Sequence, residues 1–491
     1  MGKVAMNAQV DFSDVQGLVR FGYKRMTKAH YDLLQVKDAG AAREWLRQAP
    51  VTPAETRDPP PKTALQVAFT VEGIRALGTD ESIIEGFSHE FRSGMAASFK
   101  ARQLGDTGKN APENWEWGGP GKEPHLLVML FGEPDVFEDF LSAQTGGLYQ
   151  QAFELQACLD TADLDGVEPF GFADGISQPK IDWEQKKKSR EIVYTYENLS
   201  ALGEFLLGYP NEYGNLTRRP LVDDNALSSS LDPAPEDPRK RDLGRNGTYL
   251  VLRQLDQDVR KFWDFIRKQT GSEDPDADGL AAAMVGRHRD GSPLVKPSGQ
   301  GDDDNNFNFD ADPEGHQCPF GAHVRRANPR NADYPERPRN IFRKLLVTLG
   351  FGTPGFRDDV MSSVRFHRIL RRGREYGSEL KPEDAKGPPP ADEPPRGLHF
   401  ICLNANICRQ FEFIQNAWLN STKFAAMTGE RDPLVGNHEP PAGCPVANHF
   451  NRPGKDGLRQ RVTGLETFVT VRGGAYFFLP GLRALRYLAG P

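Results

Sequence analysis

Three short stretches combine residues that do chemistry with residues that let a ligand come close. Pro169–Pro179 reads PFGFADGISQP, one acid, Asp174, set between Gly171 and Gly175. Glycines allow backbone to pass near a flat ligand, and a short carboxylate held there can take a proton from a molecule bound beside it. The plainer alternative is an Asp-Gly turn that caps a helix. Cys318–Arg330, CPFGAHVRRANPR, places His323 among small residues with Arg325, Arg326 and Arg330 close behind. A lone histidine is more often structural than ligating, yet arginines suit a cofactor that carries carboxylates beside a metal. Arg368–Gly377, RILRRGREYG, is a basic cluster ending in glycine. By itself it reads as a solvated face.

Two runs of alternating elements would have to position these stretches. In the first third, apolar periodicity predicts strand Gln16–Tyr23, helix Ala41–Gln48, strand Leu65–Thr70, helix Glu81–Phe99, strand Leu126–Gly132, helix Pro134–Gly146 and an apolar segment Tyr149–Leu159. The second half predicts strand Thr248–Leu255, helix Asp256–Thr270, strand Leu398–Leu403, helix Arg409–Asn420, and a closing pair of strands within Phe468–Leu479. Gly473-Gly474 is the expected hairpin turn of that pair, and Leu482–Ala489 a terminal helix. An α+β architecture fits best, with two ferredoxin-like domains of antiparallel sheet flanked by helices. Residues 1–222 would carry Asp174, 248–491 would carry His323, and 223–247, rich in proline and charge, would link them. Ser298–Glu314 and Glu379–Pro395 read as long loops.

At 491 residues the chain is long for one core, which favours two. Its 38% hydrophobic and 26% charged residues are ordinary for a globular protein and too apolar for a disordered one. The formal charge of −7 comes from intermixed Lys, Arg, Asp and Glu, which argues against nucleic acid as a partner. No run of about 20 apolar residues predicts a membrane span. Met1–Met6 leads into polar sequence without the apolar core of a secretory signal. The five cysteines, Cys158, Cys318, Cys402, Cys408 and Cys444, show no CxxC spacing and read as reduced thiols in a cytoplasmic setting. In that setting the sequons at Asn198, Asn215, Asn246 and Asn420 carry little weight.

Taken together and in order, GFADGISQP, GAHVRRANPR, RILRRGREYG, GLHFICLNANICRQFEFIQNAW and TFVTVRGGAYFFLPGLRALRYLA resemble the motifs of the dye-decolourising haem peroxidases. The likeness runs from Asp14-Val15-Gln16-Gly17 almost to the C-terminus. The resemblance implies one haem b per chain, held mainly by the second domain, with His323 as proximal iron ligand. It implies that Asp174 and Arg371 face the open iron site, and that Leu398 and Phe400 narrow the approach. Gly171, Phe172, Ala173, Gly175, Ile176 and Arg326 would surround the cofactor, and Asp432 would take the other ring proton of His323.

The implied partners are hydrogen peroxide and small-molecule electron donors. Asp174 would move the peroxide proton and Arg371 would stabilise developing negative charge, giving a ferryl porphyrin radical that dyes, phenols or other one-electron donors reduce. Trp263, Trp418 and Tyr376 are candidate relays or plain core aromatics. The gap from His323 to the basic cluster is longer than the family pattern, which leaves Arg368 and Arg372 as alternatives. Arg371 is preferred as the first of the pair before Gly373. Two other readings stay open. GHQCPFG faintly resembles a thiolate-haem loop with Cys318 as ligand, and a haem carrier would need His323 alone.

Overall fold

The computed structural model describes residues 9–187, 193, 196–271, 276–295, 305, 307–332, 362–439, 448–454 and 458–490. Most of residues 342–366, which lengthen the gap between His323 and the basic cluster, part of Ser298–Glu314, and Cys444 lie outside these residues.

Runs of Val, Leu, Ile and Phe favour strands that are buried on both faces, and such runs build one nine-stranded sheet. Its N-terminal part comprises β1 (Lys28–Val36), β2 (Thr63–Phe69), β3 (Leu126–Gly132) and β4 (Phe153–Asp160), ordered β2-β3-β1-β4. Helices α1 (Ala39–Gln48) and α2 (Phe137–Thr145) follow β1 and β3. Asp38 caps α1 through the Ala41 N–H, and Trp45 and Leu46 bury its apolar stripe. The C-terminal part repeats the scheme with β5 (Thr248–Gln257), α3 (Val259–Thr270), the short β6 (Leu370–Arg371) and β7 (Arg374–Tyr376), β8 (Gly397–Asn404) and β9 (Val469–Leu479). There β8 lies beside β5, β5 beside β9, and β6 and β7 both pair with β8. In each half the first strand lies between the third and the fourth, with the second outside the third, as in ferredoxin-like βαββαβ units.

The halves meet at β9 and β2 through one residue pair, Phe478 with Phe69. Where these strands part, the Gln16 side chain fills the gap. Its Nε2 donates to the carbonyls of Val67 and Pro480, and its Oε1 accepts from the Val67 N–H. This is why Gln16–Tyr23, expected as a strand, is a 3₁₀ turn at Gly17–Val19. Its side-chain amide supplies the ladder bonds instead of its backbone.

Other local expectations also change. Glu81–Phe99 divides into short helices Glu81–Ile84, His89–Ser93 and Ser98–Leu104, with Gly94 at a positive φ between the last two. Tyr149–Leu159 begins as helix Leu148–Ala152 and only then becomes β4. Residues 223–247, expected as a linker, include strand Asp237–Asp242, which pairs with Leu221–Asp223 on one side and with the short strand Pro233–Ala234 on the other, around a small core of Val222, Leu231 and Leu243. A helix at Asp276–Val285, α4, was not anticipated.

Gly473-Gly474 is no hairpin. Val469–Leu479 is one continuous strand paired along its length with β5, with a register shift beside Gly473 that leaves Arg472 unpaired. Gly473 is small for another reason, since an added Cβ would stand 2.4 Å from Cε2 of the buried Trp117. Gly473→Ala should therefore cost roughly 1–3 kcal/mol by overpacking, read from the urea unfolding midpoint. An unchanged midpoint would mean that the Trp117 ring moves freely, against its close packing.

Candidate active site

One cavity of about 320 Å³ is bordered by residues from all three chemical motifs. Asp174, His323 and Arg371 lie on its walls, as do Phe172, Ala173, Ile176, Leu398 and Phe400. Its size and mostly apolar lining suit a small-molecule or cofactor site.

His323 opens the short helix α5 (His323–Ala327), and its Nδ1 lies 2.9 Å from Oδ2 of Asp432. Asp432 is fully buried, and its other oxygen accepts the N–H groups of Leu434 and Val435. Burial disfavours the charge on each partner, but their mutual attraction prevails. The His323 pKa is raised and that of Asp432 lowered. With Nδ1 engaged in this way, Nε2 is the nitrogen left for a ligand in the cavity.

Arg371 sits on β6, and alternation along the strand separates it from its neighbours. Its Nη1 is 3.3 Å from Oδ1 of Asp174, and its Nη2 donates to the Ser177 carbonyl. Gln178 holds the strand from the facing loop. Its Oε1 accepts the Arg371 N–H and its Nε2 donates to the Arg371 carbonyl. Arg372 turns away to the carbonyls of Leu18 and Val19, where burial pushes its pKa down to about 10. Arg368 borders the cavity, but its guanidinium is bound by Leu199, Ser200 and Glu197. Of the three arginines, Arg371 is the one paired with Asp174.

Arg326 requires a correction. It was expected beside the cofactor, yet it is fully buried, with its guanidinium donating to the carbonyls of Trp418, Ser421 and Glu430. α5 points it away from the cavity. Arg330 borders the cavity instead, donating to Asn305, Phe307 and Ser177. Gly171 and Gly175 do not line the cavity either. Both have positive φ and shape the loop that presents Phe172, Ala173 and Asp174.

Sequence reasoning missed Glu168, whose carboxylate staples this loop. Its Oε1 accepts the Phe172 N–H, and its Oε2 accepts the Phe170 N–H and Gln257 Nε2. Burial pushes its pKa up to about 7. It also missed Gln178 and the buried Arg253–Asp106 ion pair of 2.5 Å in the cavity wall. Glu168 directly precedes the Asp174 motif and Gln178 lies within it, which was the one available signal. The arginine–aspartate pair joins positions far apart in the chain.

The candidate relays are all buried. Trp263 donates to the Phe170 carbonyl and stacks on Phe172 at a ring separation of 6.5 Å, Trp418 packs around His367, and Tyr376 stacks on His399. Cys318 lies outside the cavity lining among Phe307, Phe309 and Ala322, with its thiol pushed up to about 12 by burial. A neutral thiol there is a poor metal ligand.

The residues fit a haem. An imidazole with an oriented nitrogen, apolar walls for a flat ring and a guanidinium for acidic side groups border the same space. No family model matches the chain. A multifunctional dye peroxidase of an Amycolatopsis strain is 30% identical over 458 residues, covering 86% of this chain and 82% of its own. Peroxidase 2 of Mycetinis scorodonius is 28% identical over 517 residues, 98% of this chain and 88% of its own. The crystal structure of a decolourising peroxidase from Auricularia auricula-judae aligns with TM-score 0.72 at 21% identity over 98% of this chain and all of its own, a likeness of fold. Sequence relatedness across most of both chains thus joins the motif order and the cavity, and the chain belongs to the dye-decolourising peroxidase family.

Proposed function

We propose that the enzyme reduces hydrogen peroxide at one haem b per chain and oxidises small one-electron donors, dyes and phenols among them. The observation that carries the reading is the Asp174–Arg371 pair on the wall of the cavity that His323 also borders. A haem carrier has no use for an acid and a guanidinium there. Two relatives, from Mycetinis scorodonius and Mycena epipterygia, are named dye-decolourising peroxidases, which supports dyes as donors. Free thiols at Cys158, Cys318, Cys402 and Cys408 among the described residues suit a cytoplasmic location. No helix among the described residues is long and apolar enough to cross a membrane.

His323 would ligate the iron through Nε2, Phe172, Ile176, Leu398 and Phe400 would pack on the ring, and Arg330 would offset its carboxylates. When bound, haem supplies the redox-active iron and the conjugated ring that passes electrons between donor and peroxide. Asp432 holds the His323 proton on Nδ1, fixing the tautomer and raising the donor strength of the other nitrogen. Asp174 takes a proton from peroxide and returns it to the departing oxygen, which leaves as water. Arg371 offsets the negative charge that develops as the O–O bond breaks, and the Gln178 clamp keeps it in place beforehand. Glu168 holds the loop from which Asp174 projects.

His323→Ala should fold but lose most bound haem, measured as the ratio of Soret to protein absorbance in the purified protein. Full occupancy with an unchanged spectrum would remove His323 as ligand. Arg371→Leu should slow the reaction with peroxide by about 100- to 1000-fold with haem retained, followed by stopped flow. A normal rate in Arg371→Leu beside a slow one in Arg368→Leu would transfer the role to Arg368.

The raised pKa of Glu168 has a defined sign. Below about 4.5 both folded and unfolded chains are protonated. Between about 4.5 and 7 only the unfolded chain is ionised, so folding loses stability as pH rises, and above 7 the loss is constant. The stability of wild type relative to Glu168→Gln should therefore fall across that window by up to about 3 kcal/mol. A difference that stays flat from pH 4.5 to 7 in urea titrations would show that the buried carboxyl ionises normally.

A further inference from the structure

β1 and β4 carry four polar side chains that do not border the cavity, namely His30, Asp32, Cys158 and Asp160. The strands pair His30 with Asp160 and Asp32 with Cys158, so alternation puts all four on one face as a two-by-two patch. His30 Nδ1 is 2.8 Å from Asp160 Oδ1, and Cys158 Sγ is 3.6 Å from each of these atoms. Ligands around a tetrahedral zinc, with bonds of about 2.0–2.3 Å, stand about 3.5 Å apart. The two sulfur edges already have that length. The nitrogen–oxygen edge is shorter and would open by rotation of the exposed Asp160 carboxylate.

The patch also has a second layer. His30 Nε2 is 2.9 Å from Oδ1 of Asp32, and the other oxygen of Asp32 accepts the Tyr149 hydroxyl at 2.5 Å. Asp32 and Tyr149 are buried, whereas Cys158 and Asp160 are exposed. The thiol stands 3.5 Å from Nε2 as well as 3.6 Å from Nδ1, and Nδ1 faces the Asp160 carboxylate; a buried carboxylate on the other ring nitrogen is the outer shell seen around zinc-binding histidines.

We propose that His30 Nδ1, Cys158 Sγ and Asp160 Oδ1 form a zinc site on this face of the sheet, oriented by Asp32 and Tyr149 and completed by a water ligand. A thiolate and an imidazole favour Zn²⁺ over Mg²⁺ or Ca²⁺, which take all-oxygen shells. The strands supply the rigidity that a surface cluster on loops would lack, since β1 pairs on both sides, with β3 and β4.

The test titrates ZnCl₂ into the haem-loaded full chain by calorimetry and reads the zinc shell by X-ray absorption. Wild type should bind one equivalent with one sulfur at about 2.3 Å. Cys158→Ser, at an exposed position where folding is not at risk, should lose the sulfur scatterer and bind more than about 100-fold more weakly, while Asp32→Asn should weaken binding by about 10- to 100-fold. Peroxidase turnover should be unchanged in Cys158→Ser. Zinc uptake by Cys158→Ser equal to that of wild type, or a wild-type shell without sulfur, overturns the site.

Discussion

A carboxylate with no access to water must be paired and hydrogen-bonded or it will not stay ionised. Asp432 meets that condition with three donors, the backbone N–H groups of Leu434 and Val435 and the ring of His323. The first two fix the carboxylate to its own loop, and the third fixes the histidine to the carboxylate. Because this bond holds Nδ1, the orientation and tautomer of His323 are set before any ligand arrives. The proposed iron ligand thus depends on one buried charge that has nowhere else to go.

The opposing chemistry rests on strand alternation. β6 is only two residues long, yet its pairing with β8 places Leu370 beside Leu403 and Arg371 beside Cys402. Arg371 then meets Asp174, while Arg372 is spent on the carbonyls of Leu18 and Val19. The same alternation in β8 sends Leu398 and Phe400 to the cavity and leaves His399 to the Asp160 carbonyl behind the sheet. One loop, between Asp160 and Lys180, completes the site from the N-terminal side. Gln178 clamps the backbone of Arg371, and Glu168 ties down the turn that carries Phe172 and Asp174.

Much of this was legible in the residues. Strands such as Leu126–Gly132 announced themselves by an unbroken apolar run, because burial on both faces removes any polar alternation. The glycines around Asp174 correctly marked an unusual backbone, with both at positive φ and neither on the cavity wall. Gly473-Gly474 misled, since a glycine pair looks the same whether it turns a hairpin or makes room for an indole. Arg326 misled for a similar reason. A guanidinium suits a cofactor carboxylate and three backbone carbonyls equally well, and only the direction of α5 decides between them.

By itself the sequence determined most of the main sheet strands and their flanking helices, which motifs carry reactive side chains, and the family to which their order points. These follow from local patterns of hydrophobicity, glycine placement and residue type, which act over a few positions. The tertiary structure decided everything that depends on distance between remote positions. It merged two ferredoxin-like halves into one sheet through the pair Phe478–Phe69, chose Arg371 over Arg368 and Arg372 as the partner of Asp174, and exchanged Arg326 for Arg330 at the cavity. It also gathered His30 and Asp32 with Cys158 and Asp160. Side chains on paired strands meet because register and pleat bring them to one face, and neither register nor pleat direction is written in any single segment.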